Sequence, residues 1–188
     1  MGQAWNMFKE HVGEFVGFTL IIFVASALSS RMNFAGSIVI SAAASSFYAG
    51  YAIAAFRILT GQPFEFADFF KGFNYFLPLF LAGLAMGFLV LTGLALLVIP
   101  GIYLAVCYMF TTFLIIDYRM EFWQAMETSR KIITKHWFAF FGFTFVLFLV
   151  NLLGVLALGI GILVSIPVTA CASAIAYKEI MGLHSADW

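Results

Sequence analysis

Residues 99–137 read IPGIYLAVCYMFTTFLIIDYRMEFWQAMETSRKIITKHW, and they carry the main signals of the fold. Pro100 lacks a backbone donor and Gly101 tolerates unusual dihedral angles, so the pair predicts a hinge between two helices. An apolar run then continues to Asp117, and a charged segment follows over 118–136. A turn, a membrane crossing and an amphipathic helix at the membrane surface are typical of a polytopic membrane protein.

Composition supports this class. The chain has 188 residues, of which 64% are hydrophobic and 10% charged, whereas a soluble domain has about a quarter charged residues. A water-soluble fold of this length has too little interior to bury so much apolar surface. The nine basic and nine acidic residues give no net charge, so no nucleic-acid partner is indicated.

Four runs of the chain lack Asp, Glu, Lys and Arg, and their lengths predict the number of crossings. One helix crosses the hydrocarbon layer in about 20 residues. The first two runs are long enough for one crossing each, and the last two are long enough for two each, with a break near the middle of each. The sequence therefore predicts an all-α fold of six transmembrane helices in three hairpins, with crossings at 14–30, 34–57, 75–99, 101–117, 137–158 and 161–178.

Six crossings place both termini on one side of the membrane, and the basic residues indicate which side. Eight of the nine fall at the face that carries the termini, whereas Arg31 lies at the other. Short loops rich in Lys and Arg stay in the cytoplasm, so we predict cytoplasmic termini. The opposite turns are too short to form a binding domain, and a soluble partner must therefore bind at the cytoplasmic face.

Each predicted hairpin follows a short segment of mixed polarity. The segments cover about 2–14, 64–73 and 121–137, and we interpret them as interfacial amphipathic helices in the headgroup layer. The order of surface helix, crossing, tight turn and crossing would then occur three times within a single transmembrane domain. The three predicted units are 1–60, 61–118 and 119–188.

Small and polar side chains recur within two crossings. Ser37, Ser41 and Ser45 lie four residues apart in the second crossing. The sixth crossing and the neighbouring fifth add Ser165, Thr169, Ser173 and Asn151. Two explanations remain open: these residues pack helices closely, with hydroxyls bonded to their own helix, or they line a polar path. We predict that the second and sixth helices are central and mutually close, and that the Phe-rich third and fifth face lipid.

Signatures of catalysis are weak. No Asp, Glu, Lys or Arg lies deep in a predicted crossing, which disfavours an ion-coupled pump. His11 with Glu10 and Glu14 could hold a metal, but such residues on an interfacial helix are usually solvated. The sequence contains no zinc-type spacing, nucleophile elbow or phosphate loop, and Cys107 and Cys171 fall inside crossings. We expect no enzyme activity, cofactor, metal or disulfide.

The central stretch also carries a family resemblance. It rests on residues 99–104, Tyr108, residues 113–117, Ala125 with Ser129, and residues 134–137. These residues resemble a group of uncharacterised bacterial membrane proteins that are related to the membrane domain of some glycerophosphoryl diester phosphodiesterases. The resemblance covers about residues 62–145 and implies a six-helix bacterial inner-membrane protein, although relatives commonly carry a basic residue in place of Cys107.

Physical roles can be predicted for the residues at the start of the third surface helix. Asp117 would cap that helix at its start, because a carboxylate can accept hydrogen bonds from free backbone N–H groups. Ala125 and Ser129 lie four residues apart and would let the helix dock tightly on the bundle. We expect these roles rather than ligand binding.

Two functions fit the sequence. The first is a non-enzymatic channel or small-solute transporter with a wet path through one chain or along the axis of a homo-oligomer. The alternative is a membrane scaffold or accessory protein that binds anionic lipids or partner proteins at the cytoplasmic face. For this second function, the predicted contacts are Arg130, Lys131 and Lys135.

Overall fold

A computed structural model describes the backbone of residues 2–31, 34–157 and 161–184, and the side chains of these residues except 28–42. The described residues form α-helices, one 3₁₀ helix (η1) and short connections, without a β-strand. The helices are α1 Gly2–Glu10, α2 Val12–Arg31, α3 Phe34–Leu59, η1 Phe66–Tyr75, α4 Phe76–Leu96, α5 Val98–Cys107, α6 Thr111–Tyr118, α7 Phe122–Thr134, α8 Trp137–Leu156 and α9 Ile162–Met181.

Several of these helices can cross a membrane. Within the described residues, four segments are long and apolar enough to do so: Phe66–Leu96, Val98–Tyr118, Trp137–Leu156 and Ile162–Met181. A fifth is obtained if Gly2–Glu10 and Val12–Ala27 count as one span bent by 88°. The predicted all-helical, multi-pass class is confirmed. Six crossings and a headgroup position for the short helices stay predictions.

Helices α3 and α9 lie side by side in the middle of the bundle, as predicted. The rings of Phe56 and Tyr177 lie 5.6 Å apart, and the Lys178 ammonium donates a hydrogen bond to the Leu59 carbonyl at 3.0 Å. By contrast, α4 and α8 turn apolar side chains outward. Phe88 is 72% exposed and Phe138 is 83% exposed, as expected for helices that face lipid.

The small side chains of α3 bring it close to η1. A Cβ atom added at Gly72 would overlap the Ser46 carbonyl oxygen and lie 2.8 Å from the Gly50 nitrogen. A Cβ atom added at Gly50 would in turn overlap the Phe69 carbonyl oxygen. The backbones of α3 and η1 therefore pack closely, as small residues allow in membranes.

The turn between α4 and α5 differs from the predicted hinge at Pro100 and Gly101. The chain breaks at Leu97, whose backbone is extended, and α5 already begins at Val98. Pro100 lies in the first turn of α5, where backbone N–H groups have no partner within the helix and a missing donor costs little. Gly101 instead allows close packing, because a Cβ atom there would lie 2.7 Å from the Leu94 nitrogen.

The predicted crossing at 101–117 is interrupted between α5 and α6. The N–H of Thr111 bonds to the Tyr108 carbonyl, which leaves the Cys107 carbonyl and the Phe110 N–H without helical partners. The hydroxyl of Ser129 on α7 supplies both: it donates to the Cys107 oxygen at 2.6 Å and accepts from the Phe110 nitrogen at 3.3 Å. One side chain therefore completes the hydrogen bonding of a broken helix.

Replacement of Ser129 by alanine should destabilise the fold. The Cys107 carbonyl and the Phe110 N–H would lose their partner in a dry environment, and each buried unpaired group costs about 1–3 kcal/mol. Thermal unfolding of the purified protein in a mild detergent, followed by circular dichroism, measures the effect. Thr92→Ala is the control, because that hydroxyl is exposed and bonds within its own helix, to Phe88 at 2.8 Å. Equal midpoints for Ser129→Ala and Thr92→Ala would contradict the assigned role.

A second prediction concerns the contact between α3 and η1. Gly72→Ala should lower the unfolding midpoint, because the new methyl group would overlap the Ser46 carbonyl and overpacking costs about 1–3 kcal/mol. Gly83→Ala is the matched control, since a Cβ atom at Gly83 in α4 meets nothing within 4 Å. Alanine also favours helix there. If both variants unfold at the wild-type temperature, the contact is looser than described.

Candidate functional site

Helix α7 has a buried side and an outward side. Its buried residues are Ala125, Met126, Ser129 and Ile133. Ala125 and Ser129, the two residues predicted to dock this helix on the bundle, are both 0% exposed. The outward side and the end of the helix carry Arg130, Lys131 and Lys135, the three residues predicted to contact lipid headgroups or a partner.

The three basic residues differ in their ion-pair partners. Arg130 makes a two-point contact with Glu127, with Nε 3.0 Å from Oε2 and Nη2 2.8 Å from Oε1. These bonds from Arg130 lower the pKa of Glu127 and favour its carboxylate form. Lys131 lies 3.5 Å from the same carboxylate, but its side chain is 69% exposed. Arg130 is therefore largely neutralised, whereas Lys131 can still meet an external anion.

Lys135 and His136 lie where α7 gives way to α8. Lys135 is the C-cap of α7, and His136 is the N-cap of α8. Beside them, the Tyr103 hydroxyl bonds to the Thr134 hydroxyl at 2.7 Å. Within the described residues, no carboxylate lies within ion-pairing distance of Lys135. The junction thus presents a cation that no described acidic group neutralises.

A groove between α7, α8 and α9 adjoins this junction. Its volume is about 560 Å³. It is lined by Ile132, Lys135, His136, Ala139, Phe140, Phe143, Ala176, Ile180 and Met181. Both polar members of the lining belong to the junction, and the rest of the wall is apolar. We call this feature the α7–α9 groove.

Three of the polar residues predicted to pack helices or line a path, Asn151, Thr169 and Ser173, hydrogen-bond to neighbouring helix atoms. Ser173 donates to the Thr169 carbonyl at 2.9 Å, and Thr169 donates to the Ser165 carbonyl at 2.9 Å. Asn151 donates across to Thr169 at 3.3 Å and to the carbonyl of Leu147 in its own helix at 3.0 Å. These contacts are those of the packing explanation.

The other four residues of the two stripes are Ser37, Ser41, Ser45 and Ser165. Ser165 lies against α8, because a Cβ atom at Gly154 would overlap its hydroxyl oxygen. Ser45 is half-buried in α3. Ser37 and Ser41 lie outside the described side chains, so the structure leaves their predicted roles open.

Asp117 does not cap the surface helix, and this prediction was wrong. The N-cap of α7 is Glu121, whereas Asp117 lies in the last turn of α6. Its buried carboxylate accepts hydrogen bonds from the Tyr177 hydroxyl at 3.1 Å and from the His184 backbone N–H at 3.0 Å. The ring of His184 stacks on Tyr118 at 4.8 Å. Asp117 therefore fastens the end of α9 and the following segment to α6.

A second charged cluster was missed by sequence reasoning. Asp68 in η1 accepts from Arg57 at 2.9 Å and from Lys71 at 2.8 Å. It also accepts from the backbone N–H of Glu65 at 2.9 Å. The usable signal was that Arg57 and Lys71 were predicted at the same face, on either side of an acidic residue. The cluster reinforces the contact between α3 and η1.

Other candidates for chemistry are dispersed. His11 packs its ring against Phe64 at 5.5 Å. Within the described residues, no group of three or more His, Cys, Asp or Glu side chains could hold a metal ion. Cys107 and Cys171 are both buried as free cysteines. The α7 face and the α7–α9 groove are therefore the strongest candidates for a binding site.

Comparisons with known proteins add no assignment to this geometry. No family model, no curated protein and no solved structure matches the chain. The resemblance to the membrane domain of glycerophosphoryl diester phosphodiesterases therefore stays a hypothesis.

Proposed function

We propose that this chain is a non-catalytic membrane scaffold or accessory protein that binds anionic phospholipid at the face that carries α7. The supporting observation is that α7 is anchored through Ser129 while Lys131 and Lys135 are exposed. A lipid headgroup or an acidic partner would meet these two ammonium groups first.

The electrostatics of α7 favour an anionic ligand at its C-terminal end. Glu127 and Arg130 pair with each other, so the excess positive charge comes from Lys131 and Lys135. A basic side chain near an anionic membrane surface contributes about 1 kcal/mol to attraction. Because the helix is already anchored, little ordering of its backbone opposes binding.

The location proposed for this face follows from the charge distribution of the sequence. Basic residues concentrate at one predicted face, and the positive-inside rule assigns that face to the cytoplasm. We therefore propose a bacterial inner-membrane protein with cytoplasmic termini, whose lipid-binding face lies in the cytoplasmic leaflet. That leaflet is rich in anionic lipid, which matches the charge of α7.

Channel or transport activity stays a prediction from the sequence. It drew its main support from the serine and threonine stripes, and the hydroxyls of Thr169 and Ser173 in the α9 stripe hydrogen-bond within the helix pair. Because these bonds satisfy the two hydroxyls, a polar path is not needed to explain them. Lipid binding therefore has the better support from the described contacts.

A double substitution tests the proposed function. Lys131→Gln with Lys135→Gln should reduce retention of phosphatidylglycerol, since two basic side chains together contribute about 2 kcal/mol, roughly thirtyfold in affinity. The measurement is native mass spectrometry of the protein after gentle extraction from vesicles of mixed phosphatidylglycerol and phosphatidylcholine.

Arg31→Gln is the control, because it removes one basic residue at the predicted opposite face. It should retain as much phosphatidylglycerol as the wild type. Unchanged retention in the double variant, or an equal loss in the control, would overturn the assignment of anionic lipid binding to α7.

A further inference from the structure

We propose that the α7–α9 groove is a specific site for one anionic phospholipid, with the phosphate at Lys135 and His136 and one acyl chain along α8 and α9. This inference rests on the proposed function and names the ligand and its position. It also makes a stronger claim, because attraction to a charged surface needs no groove, whereas a seated lipid does.

The polar end of the groove suits a phosphate. Lys135 offers an ammonium donor and His136 an imidazole N–H, and both line the groove. Charge-assisted hydrogen bonds to phosphate oxygens are shorter and stronger than neutral ones. Glu179 precedes the lining residue Ile180 in α9 but is not part of the lining. The described wall therefore offers a phosphate two hydrogen-bond donors and contains no carboxylate.

The rest of the groove suits a hydrocarbon chain. Along α8 the lining continues from His136 through Ala139 and Phe140 to Phe143, a rise of about 10 Å at 1.5 Å per residue. Ala176 of α9 forms part of the facing wall. The small side chains at Ala139 and Ala176 leave the width that larger residues would fill.

Position in the membrane selects a lipid over a soluble ligand. The groove lies along α8 and α9, two helices that are long and apolar enough to cross the membrane. Ala139 and Ile180 are exposed, so the groove opens sideways, where the surrounding medium would be lipid. Its volume of about 560 Å³ lies within the range of about 300–1,000 Å³ typical of small-molecule sites.

A steric substitution tests the site without changing its charge. Ala139→Leu should fill the groove and cause a loss of about tenfold or more in bound phosphatidylglycerol, measured by native mass spectrometry from phosphatidylglycerol and phosphatidylcholine vesicles. Gly142→Leu is the matched control on the same helix, because a Cβ atom at Gly142 meets nothing within 4 Å and Gly142 is not part of the lining. Both variants are first compared with the wild type by thermal unfolding.

If Ala139→Leu unfolds early, Ala176→Leu replaces it as the steric variant from the opposite wall. If both unfold early, the charge pair described below decides alone. A groove that binds a second copy of this chain would appear as a dimer that Ala139→Leu dissociates, and that result would overturn the lipid assignment.

A charge comparison separates failure of the groove from failure of the proposed function. Lys135→Gln should reduce the bound phosphatidylglycerol by about tenfold or more, whereas Lys131→Gln, on the same helix but outside the lining, should reduce it by only about fivefold, the effect of one surface charge. Equal losses from both single variants, with no effect of Ala139→Leu, would overturn the groove but leave surface binding by α7 intact. If the wild type itself shows no preference for phosphatidylglycerol, both proposals fail.

Discussion

The hydroxyl of Ser129 is the contact on which the arrangement of the described helices depends most. In lipid, a backbone N–H or C=O without a partner is too costly to leave exposed, so a helix can break only where another group takes over its hydrogen bonds. Ser129 does this for Cys107 and Phe110. The same two bonds fasten α7 to the bundle, so the break in one helix and the position of another have a common cause.

The position of α7 determines what the proposed binding face can do. With Ser129 and Ala125 buried, the rotation of the helix is set, and Ile132 and Lys135 become one wall of the α7–α9 groove. Helices α8 and α9 supply the other walls, and the Asp117 carboxylate fastens the end of α9 to α6. Lys135 and the apolar wall of the α7–α9 groove are thus held in place by contacts that lie outside the groove.

Much of this fold could be predicted from composition and periodicity, and the failures have physical reasons. Long apolar runs identify crossings because lipid imposes a minimum length. The break at 108–110 carries no Pro or Gly, so no local signal marks it. The backbone groups that it frees are satisfied by a serine on another helix. Pro100 predicted a hinge, whereas it lies in the first turn of α5. Proline is tolerated in both positions, so its presence alone does not distinguish them.

Only some residues of the candidate site could be predicted from the sequence. Lys131 and Lys135 could be named as candidates because charge on an otherwise apolar chain stands out, and Ser129 because its spacing from Ala125 fits a docking face. Ala139, Phe143 and Ala176 could not, because they line a concavity formed where three helices meet. Asp117 was assigned to the wrong helix end, since its partner Tyr177 is distant in sequence.

Photocrosslinking in the membrane would show whether a lipid occupies the α7–α9 groove. The protein is reconstituted with a phosphatidylglycerol analogue that carries a photoreactive group on one acyl chain, and the adducts are mapped by mass spectrometry. We predict that adducts concentrate on groove residues such as Ala139, Ala176 and Ile180. Adducts spread evenly over outward residues of α4, such as Leu84 and Phe88, would contradict a seated lipid and reduce the interaction to ordinary solvation by the bilayer.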